Sequence, residues 1–164
     1  MHRASLVAVL LSLSIFPVFG ASIPADLNLS ATVAPACVIS TTPVAFGSYD
    51  PIGANATAYL DGTGTVSVAC TRGTTPVRVD LQNGNNYSGT RRMSSGSDFL
   101  AYGLYQDPGR ASSWGQGLGA NGGRVIGASA NIFPRTYTIY GRIPAGQDVS
   151  AGDYFDTVVA TANY

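Results

Sequence analysis

Cys37 and Cys70 are the two side chains of this sequence with the widest chemical repertoire, and their company narrows it. A catalytic thiol wants an imidazole base, and a structural zinc ion wants four ligands that histidine commonly helps to supply. The one histidine is His2, within an N-terminal segment removed on export, as argued below. The two thiols are therefore expected to join as a Cys37–Cys70 disulfide in an oxidising compartment. In the chain-entropy view, closing a loop of about 34 residues stabilises the fold by roughly 3–4 kcal/mol.

All nine acidic residues are Asp and all nine basic residues are Arg. An Asp pair is thus the remaining acid–base option, and Asp153 with Asp156 is the pair nearest in sequence. Retaining glycosidases hold two carboxylates about 5 Å apart. Asp153 follows Gly152 just ahead of a strand pattern, however, and that is turn chemistry. No catalytic residue is assigned, and the chain is not expected to be an enzyme. No ligand cluster points to a metal. Gly117-Leu118-Gly119-Ala120-Asn121-Gly122 spells GxGxxG, but it lacks the strand before and the helix after that dinucleotide binding requires. It reads as part of a Gly-rich loop from Asp107 to Asn131, and no cofactor is expected.

The elements that hold these residues are strands. Lys and Glu, two of the best helix formers, are absent, while 20 Gly, nine Pro and nine Tyr accompany many Thr and Val. The formal net charge is zero, which excludes a nucleic-acid binder working through a basic face. Residues 1–20 read as a secretion signal: Arg3, an apolar run from Leu6 to Phe19, then cleavage before Ala21 or Ser22. That run falls short of the roughly 20 apolar residues that span a bilayer.

Period-two alternation recurs through the rest. Val66, Val68 and Cys70 share one face, as do Val77, Val79 and Leu81, and Leu100, Tyr102 and Leu104. Tyr137 with Ile139, and Val158, Ala160, Ala162 and Tyr164, continue the pattern. Turn clusters at Asn83-Gly84, Asp107-Pro108-Gly109 and Pro144-Ala145-Gly146 separate them. The expected fold is an all-β, immunoglobulin-like antiparallel sandwich.

Its two ends are unusual. Ile23, Ala25, Leu27, Leu29, Ala31 and Val33 alternate ahead of the first cysteine, where a terminus is normally unstructured unless tied into a sheet. At the other end the last strand runs to Tyr164 with nothing after it, leaving an open edge of the kind proteins usually blunt. Two readings follow. Residues 23–33 form the first strand of their own domain, or they add as a strand to a neighbouring copy, head to tail. In the second case, burying the alternating side chains gives a gross gain on the order of 10 kcal/mol.

Several stretches in order resemble one family. They are Val44-Ala45-Phe46-Gly47-Ser48-Tyr49-Asp50, Gly64-Thr65-Val66-Ser67-Val68-Ala69-Cys70, Arg91-Arg92-Met93, Leu100-Ala101-Tyr102-Gly103-Leu104-Tyr105 and Trp114-Gly115. Most specific are Tyr140-Gly141-Arg142-Ile143-Pro144-Ala145-Gly146-Gln147 and Ala151-Gly152-Asp153-Tyr154-Phe155-Asp156-Thr157-Val158. The chain resembles the spore coat protein U domain family, which includes subunits of archaic (Csu-type) chaperone–usher pili. The resemblance implies an incomplete sandwich lacking its last strand and completed by donor-strand exchange. A periplasmic chaperone lends a strand, and an outer-membrane usher then replaces it with the N-terminal segment of another subunit. On that basis residues 21–34 form a donor extension, with Ile23, Ala25, Leu27, Leu29, Ala31 and Val33 as its plugs. Residues 35–164 form the domain, and Val158, Ala160, Ala162 and Tyr164 lie on one edge of the acceptor groove. Pro24 lacks an N–H, so pairing is expected to begin after it.

The implied role is a shaft subunit of a bacterial surface filament that supports adhesion or biofilm formation. It would pass through the periplasm to the cell surface and meet the membrane only through the usher. The alternative is a secreted or spore-coat immunoglobulin-like surface module that binds carbohydrate through Trp114 and the Gly-rich loop, whereas Tyr102, Tyr137 and Tyr154 are expected to pack inside. The Asn28, Asn55 and Asn86 sequons matter only in a glycosylating host, and Arg91-Arg92 reads as a solvated edge.

Overall fold

Alternating β-branched and aromatic residues, punctuated by glycine turns, produce eight strands among the described residues. The computed structural model describes residues 20–75 and 77–164, so the secretion signal expected over residues 1–20 lies, but for Gly20, outside the described residues. The strands are β1 (Cys37–Ala45), β2 (Leu60–Cys70), β3 (Arg78–Leu81), β4 (Arg91–Ser95), β5 (Asp98–Tyr105), β6 (Arg124–Val125), β7 (Arg135–Ile143) and β8 (Ala160–Asn163). One 3₁₀ turn, Ala54–Ala56, is the sole helical element among the described residues. A five-stranded sheet in the order β1-β2-β7-β5-β4 and a three-stranded sheet in the order β6-β3-β8 are antiparallel throughout.

The expected alternations supply the core. Val66, Val68 and Cys70 from β2, Leu100, Tyr102 and Leu104 from β5, and Ile139 and Ile143 from β7 face inward from the larger sheet. Val79 and Leu81 of β3, with Val77 beside it, are buried from the smaller one. Cys37 and Cys70 are register partners at the ends of β1 and β2, and they form the expected disulfide.

Three strands escape a reading by alternation. Cys37 and Ile39 of β1 point inward, but Pro43 and a register shift between Thr42 and Ala45 break the pattern. β4 offers only Met93 as an apolar anchor, and β6 is two residues long. β8 is shorter than expected. It omits Val158, and Tyr164 lies beyond it, 57% exposed, because its partner β3 ends the ladder at Arg78↔Asn163. Upstream, irregular pairing takes over, with Gln82 N donating to Val159 O and Asn85 N to Thr157 O.

The chain divides between Thr32 and Val33 into two units. Residues 20–36 take no regular structure, so the alternation from Ile23 to Val33 is not the first strand of either sheet. Ala25, Ala31 and the larger side chains of this stretch are all exposed, with Ile23, Leu27, Leu29 and Val33 between 79% and 93%.

Candidate functional site

A sheet edge is a row of unpaired backbone donors and acceptors. β1 pairs only with β2, and β8 only with β3, so each keeps one edge free. The two strands approach within 8 Å, Cα to Cα, without pairing. Between their flanking segments the sandwich opens onto its own core.

The opening has two adjoining sections that share Val44, Phe46 and Met93 as lining. The narrower, of about 280 Å³, has Thr41–Val44 on one side and Asp156–Val158 with Ala160 on the other. Leu81, Tyr102, Leu104 and Ile139 are at its floor. The wider, of about 900 Å³, runs under the loop after β1 and is closed by Val149–Phe155, with the buried Leu100 and Ile143 lining it. Both sections are lined chiefly by apolar side chains, although polar backbone edges flank them.

Local chemistry shapes each wall. The bulge in β1 gives the strand one residue more than its partner and turns it, which aims Val44 and Phe46 into the groove. It requires Gly64 opposite: a Cβ there would fall 2.8 Å from the carbonyl oxygens of both Thr42 and Pro43. Phe46 meets the Tyr102 ring at 6.3 Å between centroids, tilted by 56°. On the far wall, Phe155 exchanges two backbone bonds with Ser94 of β4, at 2.9 and 3.0 Å. The loop after β1 is pinned by Tyr49, whose hydroxyl donates to Pro144 O at 3.0 Å and accepts from Gln147 N at 3.0 Å.

Of the edge residues read from sequence, Val158 and Ala160 line the groove, and Ala162 packs against the core one step along β8. Tyr164 does not belong to this wall, for the reason given above. Val44, Phe46 and Met93 were not expected as groove residues. The stretch from Val44 to Phe46 carried the family resemblance, but nothing in its spacing says that a bulge turns it inward.

The other candidates resolve into structure. Asp156 accepts bonds from Asn85 N, Asn86 N, Asn86 Nδ2 and the Tyr102 hydroxyl, and Asp153 is exposed. Gly117–Gly122 forms tight turns, with Gly122 N donating to Gly119 O and Gly123 N to Gly117 O, ahead of two-residue β6. Trp114 is fully buried, and its indole donates to Val79 O at 2.8 Å, so it offers no surface to a sugar. Tyr102 is 6% exposed, and Tyr137 and Tyr154 pack against the core. Arg91 and Arg92 are not a solvated edge: they donate to the carbonyls of Leu81 and Asn86.

Residues 23–161 match the family model described as the Spore Coat Protein U domain. The chain belongs to that family. The matched span of this Spore Coat Protein U domain begins at Ile23, so it takes in the exposed alternating stretch as well as both groove walls. Protein U of Myxococcus xanthus is 34% identical over 162 residues, covering 90% of this chain and 88% of that protein. Among solved structures, one likeness is to the CsuC–CsuE chaperone–tip adhesion subunit pre-assembly complex from archaic chaperone-usher Csu pili of Acinetobacter baumannii. There the TM-score is 0.59 at 24% identity over 81% of this chain, which spans 41% of the solved one. That likeness concerns the fold, an immunoglobulin-like sandwich.

Proposed function

We infer that this protein is a subunit of a chaperone–usher surface filament, and that the groove between the Thr41–Phe46 end of β1 and the Asp156–Ala160 segment leading into β8 receives a donor strand from another copy. The observation that carries this reading is an apolar groove between the free edge of β1 and the chain leading into β8, in a protein that also bears an exposed, alternating apolar segment. A strand laid along the groove pairs its backbone with a free edge and seats alternate side chains on Phe46, Leu104 and Ile139. The donor is residues 21–34, with Ala25, Leu27, Leu29 and Ala31 as its central plugs. Pro24 sets the start of pairing at Ala25.

Before assembly a periplasmic chaperone fills the groove, and an outer-membrane usher exchanges it for the next subunit. The chain is exported, resides in the periplasm during assembly and then lies at the cell surface. A subunit that both receives and passes on a strand belongs in the shaft, where its work is mechanical support for adhesion or biofilm formation. Polymer stability is then folding stability, because each copy completes its neighbour. The family description favours a second reading, a coat polymer built by the same exchange on a spore or cell surface.

The test compares the mature protein with a version beginning at Ala34, each released from a co-expressed chaperone and run unboiled on a denaturing gel. A ladder from the first and none from the second is the expected result. Monomers from both would overturn the assignment of donor and groove.

A further inference from the structure

The outer face of the five-stranded sheet, turned away from the core, carries a cluster that neither the core nor the groove uses. Strand alternation brings Asp61 of β2, Tyr105 of β5, and Tyr140 and Arg142 of β7 to that face. Register sets Asp61 opposite Arg142 and Tyr105 opposite Tyr140. Arg142 grips Asp61 with Nε on Oδ1 at 2.8 Å and Nη2 on Oδ2 at 2.9 Å. Its guanidinium carbon lies 3.4 Å from the centroid of the Tyr59 ring, which is 55% exposed. Across from Arg142 on β5 stands Gly103, and the Tyr105 ring folds back over it. A Cβ on Gly103 would come within 2.7 Å of that ring, so only glycine lets Tyr105 lie there.

Arg110 joins from the loop after β5 in a left-handed conformation, φ 58°, which costs energy in any residue but glycine. Its Nε reaches Asp61 Oδ1 and Gly141 O, both at 3.1 Å, and its guanidinium lies 5.8 Å from the Tyr140 ring centroid. Asp61 is the one carboxylate on the outward positions of β2, β5 and β7, and it faces two arginines. Within this cluster one positive charge is left over, since the Asp107 carboxylate of the same loop is taken up by the backbone N–H groups of Ala111 and Ser112. Arg142 Nη1 and Arg110 Nη2 have no protein acceptor among the described residues.

Arg110 is mostly covered, its side chain 11% exposed, and it ties the loop to β7, whereas Arg142 keeps 25% of its side chain exposed at the edge of the cluster. The arrangement suits a ligand. A free guanidinium edge takes a carboxylate or sulfate in a paired geometry, and tyrosine faces pack against the apolar faces of sugar rings. From Arg142 back along β7 to Thr136, the same face continues for about 20 Å. It carries a row of hydroxyls, Thr63, Thr65 and Ser67 on β2 and Thr136 and Thr138 on β7, of which Thr65 bonds Thr42 and Ser67 bonds Thr136.

We propose that this face binds an anionic polysaccharide, with Arg110 and Arg142 holding a sugar carboxylate and Tyr59 and Tyr105 flanking the adjacent rings. A polymer with one charge per sugar matches a site with one net charge and many hydroxyls. Nucleic acid, with its dense phosphates, asks for a more basic surface.

The exported full chain, titrated by calorimetry with polygalacturonate, dextran and single-stranded DNA, tests this. Polygalacturonate is expected to bind, more weakly as salt rises, with dextran and DNA much weaker. Tyr59→Ser and Arg142→Gln should each weaken binding about tenfold. Arg72→Gln, at the exposed turn beyond the other end of β2, should leave it unchanged. Because Tyr59 is largely exposed, its variant folds whatever becomes of Arg142, and unchanged melting temperatures check both. No binding of polygalacturonate, equal or tighter binding of dextran or DNA, or full binding by both site variants would overturn the proposal.

Discussion

The Tyr102 hydroxyl donates to Asp156 Oδ2 at 2.6 Å, tying the middle of the five-stranded sheet to the chain that leads into β8. The same carboxylate accepts from Asn85 N at 2.9 Å and from Asn86 N at 3.2 Å through its other oxygen. Burial, then the charge and hydrogen bond of Asp156, push the Tyr102 phenol above its ordinary pKa, so it stays a donor. A polar clamp thereby anchors one wall of the groove at Asp156, beside the packing of Val158 and Ala160 on the core.

Tyr102→Phe keeps the ring in the core and removes only that donor. A hydrogen bond to a charged group contributes about 1.5–3 kcal/mol, so chemical denaturation should show a loss in that range. A wild-type midpoint and slope would mean that Asp156 is held by Asn85 and Asn86 alone.

Gly64→Ala should disturb β1 and, through it, the wall of the groove. Its added carbon meets the carbonyl oxygens of Thr42 and Pro43, which cannot swing aside like a flexible side chain. A destabilisation of about 1–3 kcal/mol is expected, with the resonances of Val44 and Phe46 shifting in methyl and aromatic spectra. Unshifted resonances would show that the bulge tolerates a side chain.

How much of this was legible beforehand depended on whether a residue's partner was close in pattern or distant in space. β2, β3, β5 and β7 announce themselves because Val66, Val79, Leu100 and Ile139 alternate with polar neighbours. The disulfide followed from cysteine counting in an exported chain. Groove residues did not show, because Phe46 becomes a groove residue only through a bulge opposite Gly64. Pattern alone offers Asp156 only turn chemistry or half of an Asp pair, since its three backbone and amide donors lie some 70 positions upstream. Trp114 is left open between core and surface by pattern alone, because its acceptor, Val79 O, belongs to another strand.

Removing the disulfide should loosen the β1 wall from its Cys37 end. Loss of a native bridge typically costs about 2–5 kcal/mol, so Cys37→Ser with Cys70→Ser should melt well below the parent. Reductant should lower the parent's melting temperature toward that of the double variant and leave the variant's unchanged. If reduction has no effect on the parent, β1 is held by its ladder with β2 alone.

Acid should destabilise the fold over a defined window. Hydrogen bonds from Arg142 hold Asp61 below the ordinary 3.8, backbone N–H groups of Gly53 and Ile52 do so for Asp50, and Ser150 does so for Asp98. These groups bind fewer protons folded than unfolded, so their contribution is full above the unfolded value and fades as pH falls through the folded ones. Melting temperature should be flat from neutral pH down to about 5 and fall below about 4. A fall beginning near pH 6.5 would require a histidine, and the sole one is His2.

The donor assignment makes a prediction that depends on the face of the alternation. Leu27 and Leu29 share one face of an extended segment, and Asn28 lies on the other. An arginine at Leu27 or Leu29 would place an unpaired charge in an apolar groove, a cost several times larger than the burial it replaces. Leu27→Arg and Leu29→Arg should therefore abolish the ladder of multimers, while the amount of chaperone-bound subunit stays normal, since the acceptor groove is intact. Asn28→Arg should assemble nearly as well as the parent, because its side chain points to solvent in the paired strand. If all three assemble equally, the segment is not seated in a groove. If all three fail equally, it is the charge of the segment and not its register that matters.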